Sequence, residues 1–166
     1  MDVPMPAEAL HILLWGFVAT TVLTTILEGS QGVGLSRLSL PFLLGMACTG
    51  RRDAAMVLGA ALYLLGGWVF AALYYLLFLE LGRAGVWIGG LFGALHGVVL
   101  LVVVLPVLPF VHPRMASEHD GPADRPRLQP PGFMGLHYGY RTPLTTMVGH
   151  IAYGAVVGGG LSVSSF

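Results

Sequence analysis

Residues 86–111 read VWIGGLFGALHGVVLLVVVLPVLPFV, an apolar stretch with one histidine and no other ionisable side chain. A bilayer core of about 30 Å is crossed by roughly 20 apolar residues in an α-helix, and this stretch is longer than that. Backbone groups find no water in hydrocarbon, so such a segment must satisfy them internally as a helix. The stretch therefore predicts a transmembrane helix, and this decides the class of the fold.

Three further apolar stretches of similar length bring the number of predicted spans to four. They cover about residues 10–28, 54–79 and 142–161. A β-barrel would require alternating apolar and polar residues, and residues 60–65, AALYLL, do not alternate. We therefore expect an all-α integral membrane protein, a four-transmembrane-helix bundle that forms a single domain over residues 1–166.

The composition of the chain agrees with a bundle in lipid. Of its 166 residues, 55% are hydrophobic and 10% are charged, whereas soluble domains average about 25% charged residues. Eight basic residues balance eight acidic ones, and no basic patch indicates nucleic-acid binding. The single cysteine, Cys48, excludes an internal disulfide and a CxxC site. The expected partners are the lipid bilayer and either other membrane subunits or further copies of the chain.

A fifth apolar piece, residues 38–48, lies between the first two predicted spans and is too short to cross a bilayer. It predicts a short interfacial or re-entrant segment. Pro41 suits the first turn of a short helix, and Gly50 suits its end.

The arginines predict the orientation. Seven of the eight lie between spans one and two or between spans three and four, and Arg83 alone lies between spans two and three. Positively charged loops stay in the cytoplasm. We therefore expect a cytoplasmic-type (inner) membrane, with both arginine-rich loops inside and both termini outside the cytoplasm. The second of these loops, residues 112–141, mixes prolines with charged residues and predicts a loosely ordered cytoplasmic segment.

Glycines recur at every fourth position in two of the predicted spans. They are Gly85, Gly89, Gly93 and Gly97 in the third span and Gly154 and Gly158 in the fourth. Glycine at this spacing lets a second helix backbone approach closely. The series predicts close helix packing, either inside the bundle or against a second copy, with clearance for a flat cofactor as the alternative.

Two histidines stand inside predicted spans at similar depths. At 1.5 Å per residue, His96 lies about 15 Å from the outer face and His150 about 12 Å from the inner face. Ionisable residues inside a membrane are candidates for function. The pair predicts axial ligation of a b-type haem, a proton or ion relay, or an interhelical hydrogen bond without chemistry.

A weaker hypothesis concerns a metal at the inner ends of the spans. Glu28 ends the first span and could face His112 and His137 of the long loop, which would group a carboxylate with two imidazoles. Solvation of Glu28 at the interface is the alternative. The loop also carries Met115 and His119, but its spacings match no closed zinc pattern.

The functional hypotheses follow from the same features. The sequence contains no GxSxG, HExxH or phosphate-loop motif, so a role other than enzyme is favoured. The first hypothesis is a small accessory or structural subunit of a multi-subunit membrane protein complex, packing through glycine-rich helix faces. The alternatives are a b-type haem electron-transfer protein that uses His96 and His150, and a small oligomeric transporter or proton path that uses the same histidines with Glu28.

Overall fold

The structure, a computed structural model, describes residues 5–117 and 127–165. Its α-helices are α1 (Met5–Gly32), α2 (Leu40–Cys48), α3 (Arg52–Leu81), α4 (Val86–Val99), α5 (Leu105–Val111) and α6 (Thr142–Ser165). A π-helical turn, Leu100–Val104, joins α4 to α5, and a 3-10 helix, Phe133–Tyr138, precedes α6. Four segments are long and apolar enough to cross a membrane: Ala7–Gly32, Arg52–Leu81, Val86–Val111 and Thr142–Ser162. The predicted all-α bundle of four transmembrane helices is confirmed.

The four spans pack side by side in the order α3, α1, α6 and α4. Extensive contacts join α1 to α3, α1 to α6 and α4 to α6. The two helices at the ends of the row, α3 and α4, meet through aromatic side chains, among them Tyr74, Phe78 and Phe92. Because bulky rings rather than backbones close this side of the bundle, α3 and α4 leave space between them.

The predicted glycine series forms the contact between α4 and α6. A methyl group on Gly89 would overlap the carbonyl oxygen of Gly154, and one on Gly154 would overlap the carbonyl oxygen of Gly89. A methyl group on Gly93 would overlap the carbonyl oxygen of His150. The two backbones touch, so these glycines pack inside the bundle.

The remaining glycines of the series take less direct parts in this contact. A methyl group on Gly97 would lie 3.0 Å from the sulfur of Met147. A methyl group on Gly158 would overlap the carbonyl oxygen of Gly85, although Gly85 itself has open space where its own side chain would be. The backbone of Gly85 therefore contacts α6, but a side chain at position 85 would find open space.

The short segment between the first two spans is the helix α2. The Ser39 hydroxyl caps its start by accepting from the Phe42 amide at 3.3 Å, and Pro41 lies in its first turn, as expected. The helix ends at Cys48, and Thr49 rather than Gly50 forms its C-cap.

Close backbone contacts fasten α2 to α3. A methyl group on Gly45 would overlap the carbonyl oxygen of Ala55, and one on Gly59 would overlap the carbonyl oxygen of Pro41. This pairing makes α2 run antiparallel beside the first turns of α3. The segment is thus a short helix packed along the start of the second span.

Two prolines shape the end of the third span. Proline lacks an amide hydrogen and clashes with the carbonyl four residues earlier. Ahead of Pro106 the helix widens into the π-helical turn, where the Leu105 amide donates to the Leu100 carbonyl. Regular helix then continues past Pro109 to Val111. The prolines thus produce a local widening, and the span ends only after both of them.

Both arginine-bearing loops lie at one end of the bundle, which we call the arginine-rich end. The Arg37 amide donates to the Tyr138 carbonyl at 2.8 Å, which ties the first loop to the second. The Arg114 guanidinium donates to the carbonyls of Met46 and Ala47 at 2.7 and 2.9 Å, at the C-terminus of α2. These contacts join the C-terminus of α2 and the two loops at this end.

The long loop is more ordered in its described parts than the sequence predicts. The Tyr138 hydroxyl donates to the Gln129 carbonyl at 2.6 Å, and the Ala116 amide donates to the Leu128 carbonyl at 2.9 Å. Burial raises the pKa of Tyr138, against the opposing effect of the Arg37 charge, so this phenol keeps its proton. Residues 118–126, with His119, lie outside the described residues.

Candidate functional site

The two intramembrane histidines meet. The imidazole centroids of His96 and His150 lie 4.8 Å apart, with the rings inclined at 75°. The Nδ1 atom of His150 lies 2.8 Å from the Thr146 carbonyl, which can only accept, so Nδ1 carries the proton. The Nε2 atom of His150 then presents a lone pair. In its neutral form, His150 therefore offers one acceptor to the interior of the bundle.

His96 stands at the edge of an aromatic group. Its ring lies 4.0 Å from the ring of Phe70, centroid to centroid, and its Nδ1 atom lies 3.4 Å from the Tyr74 hydroxyl. The ring of Tyr74 in turn contacts Tyr153 edge to face, at 5.7 Å. These rings fix the position of His96 through packing, because the contact with Tyr74 is too long for a strong hydrogen bond.

A groove of about 790 Å³ lies beside the histidine pair, between α3 and α4–α5. Its volume falls within the range of about 300–1,000 Å³ of pockets that hold small molecules. Its walls are apolar, and several lining side chains are also exposed on the surface of the bundle: Leu73, Leu77, Leu95, Val99 and Val104. Because these side chains belong to membrane spans, the groove opens sideways toward lipid.

The helix α2 limits the groove at the arginine-rich end. Leu40, Leu43 and Leu44 of α2 line it there, together with His112. The Nε2 atom of His112 lies 3.0 Å from the Leu43 carbonyl, so the end of the third span is joined to α2. Since α2 packs on α3, this contact closes the groove at the arginine-rich end.

Polar groups converge on the innermost side of the groove, which we call its floor. His96, His150, Tyr63 and Tyr74 all line it. Among the described residues, the Tyr63 hydroxyl is buried without a hydrogen-bond partner. A buried hydroxyl with no partner costs roughly 1–3 kcal/mol. The floor therefore offers one unused donor at Tyr63 and one lone pair at His150, inside an otherwise apolar space.

Two adjacent glycines explain why the groove persists between close-packed helices. A methyl group on Gly67 would overlap the Thr20 hydroxyl, so α1 and α3 approach closely there. Gly66 also lines the groove, and no atom lies within 4 Å of where its methyl group would be. One glycine brings the helices together, and the other leaves the adjoining space empty.

Ligation of a haem by His96 and His150 would require space between their two rings. Two imidazoles that ligate one iron from opposite sides must leave the macrocycle between them. Here the rings of His96 and His150 touch, and the space beside Gly93 and Gly97 is filled by the backbone of His150 and by Met147. Haem ligation by this pair would require α4 and α6 to separate. It stays a prediction, which the visible spectrum of the purified protein tests.

The suggested metal ligands are engaged separately. The Glu28 carboxylate accepts from Ser39 at 2.9 Å. His112 contacts the Leu43 carbonyl through Nε2, and its Nδ1 accepts from the Arg114 amide. His137 contacts the Pro130 carbonyl at 3.0 Å. No group of three His, Cys, Asp or Glu side chains that could hold a metal occurs in the part of the chain that the structure describes. The grouping of Glu28 with the two histidines does not form there.

Comparison with protein families, with curated proteins and with solved structures finds no match to this chain. A function for the protein is therefore inferred from the groove and from the residues that line it.

The tyrosines are the residues that sequence reasoning missed. Tyr63, Tyr74 and Tyr153 were counted as apolar residues of their spans, although each brings a hydroxyl into the interior. A tyrosine deep inside a span is itself a signal, because its hydroxyl needs a partner where water is absent.

Proposed function

We propose that this protein is a membrane-embedded binding protein for a lipid-soluble molecule that enters sideways from the bilayer. The observation that carries this proposal is the apolar groove of about 790 Å³ whose lining includes the polar aromatic side chains of His96, His150, Tyr63 and Tyr74. A fully apolar groove would fit any acyl chain. Polar groups converging in an apolar pocket are typical of a site that selects a particular ligand.

The chemistry of the floor specifies the ligand class. The Tyr63 hydroxyl has an unused donor, which fits a carbonyl or hydroxyl oxygen. The Nε2 lone pair of His150 fits a hydroxyl hydrogen. The apolar walls fit a hydrocarbon tail. The ligand is therefore an apolar-tailed molecule whose head carries a hydroxyl or carbonyl group, and a charged head is disfavoured because the described lining has no Arg, Lys, Asp or Glu.

A photoreactive long-chain alcohol tests this proposal. With a diazirine in its tail and the protein in nanodiscs, we expect crosslinks on the two walls of the groove, at 70–77 on α3 and at 95–104 on α4 and the π-helical turn. An excess of unlabelled alcohol should suppress them, because a specific site saturates. Tyr63→Phe keeps the shape of the floor and removes the donor, so it should weaken the competition by about tenfold, which corresponds to roughly 1.4 kcal/mol.

The lipid-facing residues Trp87 and Phe110 provide the internal control, since both are strongly exposed and neither lines the groove. Labelling spread evenly over these positions and the groove, with no competition, would refute the proposal.

The accessory-subunit hypothesis has less support from the geometry. The glycine faces that suggested a partner are covered by α4 and α6 themselves. Association with other subunits or with further copies stays a prediction. The transporter hypothesis shares its residues with the proposed site, because His96 and His150 line the groove, and Glu28 lies in a separate pocket.

We further propose that the arginine-rich end faces the cytoplasm of a cytoplasmic-type (inner) membrane, with both termini outside. The support is the grouping of the arginine-bearing loops at one end and the positive-inside rule. Cys48 is exposed at this end. An impermeant thiol reagent is expected to label it in inside-out vesicles and to leave it unlabelled in right-side-out vesicles. Labelling in right-side-out vesicles only would place the arginine-rich end outside the cytoplasm and refute this orientation.

A further inference from the structure

A second pocket, of about 400 Å³, lies on the other side of the contact between α1 and α3. One wall is a stripe of hydroxyl groups on α1, formed by Thr20, Thr21, Thr24 and Thr25. Glu28 continues this stripe toward the arginine-rich end, and Pro41, Ala60, Tyr63 and Leu64 complete the lining with Phe17. The pocket is thus polar on one side, at a depth where the neighbouring surfaces are apolar.

The threonines offer acceptors and no donors. Each donates its hydroxyl hydrogen to the carbonyl four residues earlier, at 2.7–2.9 Å: Thr20 to Gly16, Thr21 to Phe17, Thr24 to Thr20 and Thr25 to Thr21. Their oxygen lone pairs remain for another donor. The Glu28 carboxylate has one described donor, the Ser39 hydroxyl, while a carboxylate has about four acceptor sites. Hydrocarbon would leave these acceptors unpaired.

Water molecules in the pocket would donate to these threonine and Glu28 oxygens. A pocket of 400 Å³ has room for several water molecules, each of which occupies roughly 30 Å³ in the liquid and needs two to four polar partners. The hydroxyl stripe and Glu28 supply those partners along the whole length of the pocket. Glu28 lines this pocket and is exposed in the described structure, so its carboxylate can be solvated there.

The pocket and the groove meet at two side chains. Thr20 and Tyr63 line both of them. The Tyr63 hydroxyl is the buried group that lacks a hydrogen-bond partner among the described residues. The side chain of Tyr63 separates the pocket from the groove, and its hydroxyl group has one donor and two acceptor sites. It is therefore the point at which solvent from the pocket would reach the floor of the groove.

We propose that the second pocket is a water-filled vestibule that leads from the arginine-rich end, past Glu28 and the threonines, to Tyr63. It gives the floor of the groove access to water and protons from one side of the membrane only. The presence of water in the vestibule does not depend on a ligand. The supply of protons to the head of a ligand does, and that part rests on the proposed function.

Cysteine accessibility tests the vestibule without any ligand, so its outcome is separate from that of the photolabelling. In a Cys48→Ser background, single cysteines replace Thr24 inside the vestibule, Thr20 at its junction with the groove, and Leu65. Leu65 is the matched control, because it lies on α3 at a similar depth, is 53% exposed and lines neither pocket. The probe is a charged, impermeant methanethiosulfonate reagent applied to sealed vesicles. The parent protein, which keeps Cys48, is treated in parallel and reports which side is the arginine-rich end.

Only a hydrated cysteine ionises to the reactive thiolate, so we expect Thr24→Cys and Thr20→Cys to react at least about tenfold faster than Leu65→Cys. Both should react from the side on which Cys48 is labelled. Equal slow rates at all three positions would refute the vestibule, whether the stripe faces lipid or a partner subunit. Fast reaction at Thr24→Cys with slow reaction at Thr20→Cys would refute the connection to the groove. Circular dichroism of each variant confirms that the helices are intact.

Discussion

Gly89→Ala is expected to lower the free energy of unfolding by about 2 kcal/mol, although it adds a single methyl group. The new methyl would overlap the carbonyl oxygen of Gly154. A flexible side chain could move away, but this neighbour is the backbone of another helix. The two helices must therefore separate, and the contacts along the whole α4–α6 interface weaken together.

Gly90→Ala is the matched control for this change. Gly90 lies in the same helix and differs by one position, yet the nearest atom to its added methyl would be a side-chain carbon of Ile151 at 3.8 Å, an ordinary contact distance. Since alanine is also the better helix former, Gly90→Ala should be neutral or stabilising by up to about 1 kcal/mol.

Unfolding of both variants in mixed micelles, followed by circular dichroism, measures the two changes side by side. Equal stability of the two variants would mean that Gly89 does not lie against α6. A normal monomer fold combined with a smaller native complex for Gly89→Ala would instead support the accessory-subunit hypothesis, because the glycine face would then serve a partner.

The four spans could be predicted because hydrophobicity and length report directly on the bilayer. The helices nevertheless extend beyond the apolar stretches: α1 covers Met5–Gly32 and α3 covers Arg52–Leu81, against predicted spans of 10–28 and 54–79. The apolar stretch marks what lies in hydrocarbon. Helical hydrogen bonds continue beyond it into the interface, where a charged residue such as Arg52 is exposed and can be solvated.

The histidine pair was only partly predictable. The sequence placed His96 and His150 at similar depths, and the glycine spacing predicted close helix packing without indicating which helices or copies meet. Whether the rings meet depends on the rotation of each helix about its axis, which one sequence does not determine. The structure settles it, because the contact between Gly93 and the His150 backbone turns both rings toward the same space.

The groove could not be derived from the sequence at all. It exists because α3 and α4, which are consecutive along the chain, stand at opposite ends of the row and meet through rings such as Tyr74 and Phe92. Consecutive helices are usually close neighbours. The order of helices in the bundle follows from many small packing preferences, and neither hydropathy nor glycine spacing encodes it.

Gly66→Leu is expected to abolish saturable labelling of the groove, with at least about a tenfold loss of competition, while the fold is kept. Gly66 lines the groove, and no atom lies within 4 Å of the position of an added methyl. A leucine there would extend into the space that the tail of the ligand would occupy. Because the space is empty and leucine favours helix more than glycine does, the substitution should not reduce stability.

Two substitutions separate a blocked groove from a general change in α3. Val69→Leu adds bulk on the same helix at a position that is 59% exposed and lines neither described pocket, so labelling should stay as in the unmodified protein. Gly67→Leu should destabilise the bundle, because its side chain would collide with Thr20. If Gly66→Leu left competition unchanged while Gly67→Leu unfolded the protein, the helices would be placed correctly and the groove would not be a binding site. Loss of competition in a folded Gly66→Leu, with competition kept in Val69→Leu, would assign the ligand to this space, since Gly66→Leu and Gly67→Leu add the same four carbons at adjacent positions.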